Sequence, residues 1–265
     1  YTPYDELRRL GLPPAVEQEA RKASPGRTGM LVVTEVQPGA AADGQLAVGD
    51  VLVAIDGKPM VDFEALGALL DDGVGRPVEV TVVRGGGTRK VTLPVQDLYA
   101  VTPAEYLEIA DGVLHDLSWQ MARHMNVPIS GVYVANPGFM LGVAGIPRGA
   151  VLTELDGKPL ATLDDALAIF AGLGHGQRAT IRYFTAEDTR TRQLTSIRVN
   201  RAWFPAQHCV RDDTKGLWPC TPIAAGPDAP PTQPGTTRFA RTGDKLVDGF
   251  APSLALVAFN IPYSV

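Results

Sequence analysis

The string Val-Leu-x-x-x-Asp-Gly-Lys-Pro occurs twice, at residues 51–59 and 151–159, one hundred residues apart. Six of the nine aligned positions are identical, and the flanking sequence is similar. Self-similarity of this extent specifies two copies of one domain, not one large core. A chain of 265 residues gives each copy the length of an ordinary small domain. The function is therefore to be sought in what one copy does, and then in why there are two.

Each copy runs through the same order of elements. In the first, residues 30–36 read as a β-branched strand broken by Pro38-Gly39. Small residues follow, then a strand over 51–55 whose Val51, Val53 and Ile55 share one face. Asp56-Gly57 supplies a turn, and Asp62 N-caps a helix over 63–70. Phe63, Leu66 and Leu70 lie on one stripe of that helix. A hairpin, 78–83 and 90–95, closes around Gly85-Gly86-Gly87. The second copy repeats this with strands at 131–135 and 151–155, a helix at 163–170, and a hairpin at 180–184 and 193–199. Aligning 131–135 with 29–33 sets the correspondence between the copies. Between them, Thr102-Pro103-Ala104-Glu105 carries the residues of a helix start and predicts a helical connector.

Beyond Trp203 the repeat ends. Residues 219–235 hold six prolines and predict an extended linker. Residues 253–259 read as one more apolar strand, belonging to neither repeat, which would open a following domain. The expected organisation is thus a first domain at 1–98 and a second at 99–205 including its helical connector. A Cys/Pro-rich linker covers 206–235, and the start of a further domain covers 236–265.

The net charge of −5, with no long Lys/Arg run, argues against nucleic acid as a partner. No apolar stretch is long enough for a membrane span. The chain opens at Tyr1 without a signal sequence and reads as a piece of something longer.

The order strand, Pro-Gly, small residues, Leu-x-x-Gly-Asp-x-Leu, strand, Asp-Gly, helix, hairpin resembles PDZ domains. Pro38-Gly39-Ala40-Ala41-Ala42, Leu46 to Leu52 and Ile55-Asp56-Gly57 carry the resemblance. It is most similar to the circularly permuted type that follows the protease domain of HtrA/Deg serine proteases. More narrowly, Arg8 to Leu12, Val95 to Leu98, His115 to Gln120 and Gly131 to Ala135 resemble the large two-repeat Deg proteases of yeast and plants. The resemblance implies an α+β fold: two small antiparallel β-sandwiches or barrels, each capped by helices. It makes 253–263 the first strand of a degenerate second protease half. It also implies an upstream protease domain in the parent chain and a homo-oligomer formed through that parent. Bacterial members are placed in the cell envelope, yeast and plant members inside the cell.

A PDZ groove takes an unfolded or C-terminal peptide as an added strand. Its carboxylate is held by successive backbone N–H groups in a hydrophobic-Gly-hydrophobic loop, an anion nest. The resemblance places that loop of copy one at Leu10, Gly11 and Leu12, with Leu66 and Leu70 of the helix as side-pocket residues. The alternative reading makes Leu10 and Leu12 core residues after a short helix at 3–9. In copy two the loop falls at Leu117, Ser118 and Trp119; serine replaces the glycine and tryptophan an aliphatic residue, so this copy is expected to bind peptide weakly or not at all. The implied role is to recognise substrates for, and regulate, an HtrA/Deg-like serine endopeptidase in protein quality control. The alternative is a non-proteolytic PDZ scaffold.

No catalytic residues are expected here. No serine stands in the Gly-x-Ser-Gly context of a trypsin-like nucleophile. No cofactor is implied either. His208, Cys209 and Cys220 lack a fourth ligand for zinc, and a disulfide closing the loop 210–219 competes with two free thiols. Gly85-Gly86-Gly87 precedes no Gly-Lys-Ser/Thr, which excludes a phosphate loop.

Overall fold

The computed structural model describes residues 1–231 and 241–253. Packing divides the chain into two units. One holds Tyr1–Ala104, Asp116–Gly131 and Ala186–Arg190; the other holds Glu105–His115, Val132–Thr185 and Thr191–Val265. The architecture is α+β with antiparallel sheets, as PDZ domains require.

In the first unit, β1 (Thr2–Pro3) pairs with β2 (Gly29–Met30). A four-stranded sheet has the order β4-β3-β5-β6, built from β3 (Val51–Ile55), β4 (Lys58–Pro59), β5 (Pro77–Arg84) and β6 (Gly87–Pro94). Both expected turns form. Asp56 and Gly57 adopt φ 48° and 75°, and Gly85 and Gly86 φ 55° and 82°. Two successive positive φ values match the strand twist, so each pair closes a two-residue hairpin. The helices are α1 (Tyr4–Arg9), α2 (Pro14–Ala23), α3 (Phe63–Asp72) and α4 (Trp119–Met125). Asp62 caps α3 as expected, accepting from the Ala65 N–H at 2.9 Å. Although α4 lies in the second copy by sequence, it packs in the first unit. There Gln37 Nε2 donates to the Val127 carbonyl at 2.5 Å.

The expected strand over 30–36 is shorter than its β-branched run suggests. Only Gly29–Met30 form a ladder, and Val32 bridges Val51. The Val33 N–H meets the Asp50 carbonyl as the Val134 N–H meets that of Ala150. The copies therefore align Val33 with Val134, one residue away from the glycine-to-glycine match.

The second unit is built on a nine-stranded sheet. Its strands are β7 (Glu105–Ile109), β8 (Gly112–Asp116), β9 (Val132–Asn136), β10 (Val151–Leu155), β11 (Lys158–Pro159), β12 (Arg178–Phe184), β13 (Gln193–Arg198), β14 (Ala206–Val210) and β15 (Cys220–Pro222). The order is β13-β12-β10-β9-β8-β7-β14-β15, with β11 on β10. Helices α5 (Gly138–Val143) and α6 (Leu163–Ala171) accompany it, and α7 (Lys245–Phe250) follows. A capping box between Thr162 and Asp165 starts α6.

Two expectations are corrected. The predicted connector helix is instead the β7–β8 hairpin. Its residues alternate: Leu107 and Ile109 are inaccessible, while Tyr106 and Glu108 are half-buried. Ala110 and Asp111 take φ 48° and 64°, a two-residue hairpin turn. Burial of an alternating face outweighs the local helix-start signal. The predicted linker over 206–235 is also partly sheet. β14 pairs with β7 from Ala206↔Ile109 to Val210↔Glu105, β15 pairs with β14, and Cys209 is disulfide-bonded to Cys220. The strand expected at 253–259 lies outside the described residues beyond Ser253.

Candidate peptide-binding site

A PDZ groove is bounded by an edge strand and a helix. In copy one these are β1 with its partner β2, and α3. Tyr1, Arg27 and Thr28 line one side of a cleft of about 390 Å³, and Asp62, Phe63 and Glu64 at the start of α3 line the other. Arg27 donates to Asp62 at 3.2 Å across it. The Ala65 N–H, with the Arg27 guanidinium behind it, holds the Asp62 carboxyl below its usual range. Helix α3 buries none of its residues. Phe63 is 65% exposed, and Leu66 and Leu70 are half-buried. This apolar stripe has the spacing expected of a groove wall.

The loop residues serve other ends. Leu10, Gly11 and Leu12 close α1: their N–H groups donate to Glu6, Arg8 and Leu7 at 3.1, 3.1 and 3.0 Å. The Gly11-to-Arg8 and Leu12-to-Leu7 bonds make a Schellman cap, and Gly11 supplies its left-handed residue at φ 90°. The three amides are spent inside the chain, so they form no nest for a carboxylate. Leu10 is exposed and Leu12 is buried against Tyr4, Leu7 and Met30. In copy two, the Leu117 N–H donates to the Gly131 carbonyl at 2.9 Å. Ser118 caps α4, its Oγ accepting from the Met121 N–H at 3.2 Å, and Trp119 is the first helical residue, under the Arg123 guanidinium. Leu117–Trp119 is thus a strand end and a helix cap.

The groove strand of copy two is β8. It occupies beside β9 the place of β1 beside β2, as the bonds Leu117 to Gly131 and Tyr4 to Thr28 both show. The loop preceding that strand is the turn Ala110-Asp111. The wall is α6, and its Leu163, Ala166 and Phe170 are all inaccessible, packed with Leu107 and Ile109 of β7. Sequence reading missed β7 as a strand packed against this helix. The alternation of Tyr106, Leu107, Glu108 and Ile109 was the available signal.

Among the described residues, no group of three or more His, Cys, Asp or Glu is placed to hold a metal. No helix among them is long and apolar enough to cross a membrane.

Two repeated units, each with an antiparallel sheet, a groove strand and an opposing helix, define a tandem PDZ module. Comparison agrees: a family profile described as PDZ domain matches residues 32–84, and one described as PDZ-like domain matches 100–175. The second match takes in β7. The chain is a tandem PDZ segment similar to part of HtrA-type serine proteases. It is 40% identical over 222 residues to Protease Do-like 7 of Arabidopsis thaliana, covering 83% of this chain and 20% of that protein. It is 37% identical over 239 residues to Pro-apoptotic serine protease NMA111 of Ajellomyces capsulatus, covering 90% of this chain and 23% of that protein. The chain spans about a fifth of the length of these relatives.

Proposed function

We propose that copy one binds extended peptide, an unfolded segment or a C-terminal end, in the groove between β1 and α3. In the parent chain this act would deliver substrate to, or regulate, an HtrA-type serine endopeptidase engaged in protein quality control. The protease chemistry would lie outside these residues.

One observation supports the reading above the others. The stripe Phe63, Leu66, Leu70 is apolar but only partly covered, with Phe63 65% exposed and Leu66 packed in part on the sheet, whereas the equivalent positions of copy two, Leu163, Ala166 and Phe170, are inaccessible. Phe63 lines the cleft, and an exposed apolar side chain beside an open cleft suits β-strand addition, because main-chain bonds give affinity and side pockets give selectivity. Leu66 and Leu70 line the proposed side pocket.

The test is calorimetric titration of the chain with a peptide ending in aliphatic residues, against the variant Leu66→Asp with Leu70→Asp. Micromolar affinity, about −8 kcal/mol, is expected for the parent sequence. A charge on each pocket residue should weaken it at least tenfold. Unchanged affinity in the folded variant would move the site off α3.

A further inference from the structure

We infer that the peptide groove of copy two is filled by the chain's own strand β7, Glu105–Ile109, which holds the place of a bound peptide. A PDZ ligand lies antiparallel to the groove strand and turns alternate side chains toward the helix. β7 does both. It runs antiparallel to β8, with Leu107 opposite Leu114 and Ile109 opposite Gly112. It packs against α6, and its Leu107 and Ile109 are inaccessible within the core that contains Leu163, Ala166 and Phe170.

The end of β7 is anchored where a ligand's terminus would be received. The Ala110 carbonyl accepts from the Phe139 N–H, and the Asp111 carbonyl from Asn136 Nδ2, each at 3.0 Å. Gly138 lets these segments approach; a Cβ there would overlap Asp111 and Gly112. The other residues of β7 are held as well. Glu108 accepts from Gln207 Nε2 at 2.8 Å, Glu105 meets His208 Nε2 at 2.7 Å, and Tyr106 packs on Trp218 with ring centroids 5.3 Å apart. β14 covers the second edge of β7, and the Cys209–Cys220 disulfide ties β14 to β15. With both edges of β7 paired and its apolar face against α6, the groove offers no free strand edge and no empty side pocket.

The inference does not rest on the copy-one reading, and one experiment separates the two. The full chain is incubated with the free peptide Glu-Tyr-Leu-Glu-Ile, a copy of β7, and hydrogen exchange is followed by mass spectrometry. The β7 amides are expected to exchange about 1,000-fold more slowly than unstructured peptide, and added peptide should leave α6 unchanged. In the variant Leu107→Ala with Ile109→Ala, α6 should become protected by the added peptide. Rapid exchange of β7, or peptide-induced protection of α6 in the unmodified chain, would overturn the inference. Should the variant not fold, the unmodified chain alone decides. Peptide-induced protection of α3 reports copy one by itself: its absence beside a slowly exchanging β7 would remove only the proposed function of copy one.

Discussion

The ion pair between Asp50 and Arg84 offers a stability experiment for which the molecule carries its own control. The Asp50 carboxylate is inaccessible and accepts from Arg84 Nε and Nη2 at 2.6 and 2.7 Å, and from the Ala47 N–H at 2.9 Å. Arg84→Met keeps most of the apolar stem but leaves the carboxylate with the Ala47 donor alone. Removing one partner of a buried pair costs about 3–5 kcal/mol, because the remaining charge stays desolvated. Arg84 is 30% exposed, so water reaches the site and the lower end, about 3 kcal/mol, is expected. For a domain of this size that lowers the unfolding midpoint by about 12 °C or more. Copy two shows the compensated state. Val83 and Phe184 stand opposite Val51 and Val151, which puts Thr185 in the place of Arg84 and Ala150 in that of Asp50. Ala150 is inaccessible and needs no partner. The double variant Asp50→Ala, Arg84→Thr should therefore cost only about 1 kcal/mol, since removing both charges removes the desolvation penalty.

The bonds from Arg84 hold the Asp50 carboxyl below its ordinary range. In the intact pair this stability is present above the unfolded carboxylate value and is lost as pH falls through the folded one. In Arg84→Met the sign reverses, because burial without a partner favours the protonated form. The loss should then shrink as pH drops from 7 toward 4. Urea titration, with hydrogen exchange of Val80 and Val82 reporting the first unit, measures all three proteins. Equal losses in the single and double variants, or a single-variant loss that grows on acidification, would refute the reasoning.

Two further predictions concern the first unit. Glu17 of α2 accepts from Arg8 of α1 at 2.7 and 2.8 Å and from Arg21 of its own helix at 2.9 Å, and these bonds, that to Arg8 foremost, push its pKa down to about 2. Its contribution is present above the unfolded value and disappears as pH falls toward 2. Allowing for the half-exposed arginines, Glu17→Gln should cost about 1–2 kcal/mol at pH 7 and almost nothing near pH 2, read by denaturant titration at both pH values. Gly11→Pro should destabilise the first unit by about 3 kcal/mol, because proline lacks the N–H that Gly11 donates to Arg8 and cannot adopt φ 90°. Peptide affinity of the fraction still folded at low temperature should be unchanged, since those amides serve the helix; selective loss of binding would restore a carboxylate role.

What was legible in the sequence was local. Asp56-Gly57 and Gly85-Gly86 announce tight hairpins because few residues tolerate consecutive positive φ, and Asp62 announces α3 because its carboxylate can accept an orphan N–H. Two local patterns were ambiguous. Leu10-Gly11-Leu12 satisfies a carboxylate loop and a Schellman cap alike, and only the carbonyls it meets tell them apart. Thr102-Pro103-Ala104-Glu105 imitates a helix start, yet the next residues are held by pairing with a strand about a hundred positions away, Ile109↔Ala206. Long-range pairing leaves no mark at either end beyond alternation, which is weak over five residues.

The two helices that carry the groove walls sharpen what the duplication means. Phe63, Leu66 and Leu70 correspond to Leu163, Ala166 and Phe170, and all six are apolar. In copy two that character is accounted for by folding, since the stripe is inaccessible in the core that includes Leu107 and Ile109 of β7, and each large side chain so covered contributes about 1.5–3 kcal/mol. In copy one, folding gives only a partial account: Leu66 packs in part on the core, Leu70 is half-buried, and Phe63 stands two-thirds exposed beside a cleft. An apolar stripe of this kind on a folded domain marks an interaction surface. The same backbone thus leaves its two helical stripes in different states, one inaccessible in the core that holds β7 and one with Phe63 exposed, and the proposed peptide is the strand that would cover the second.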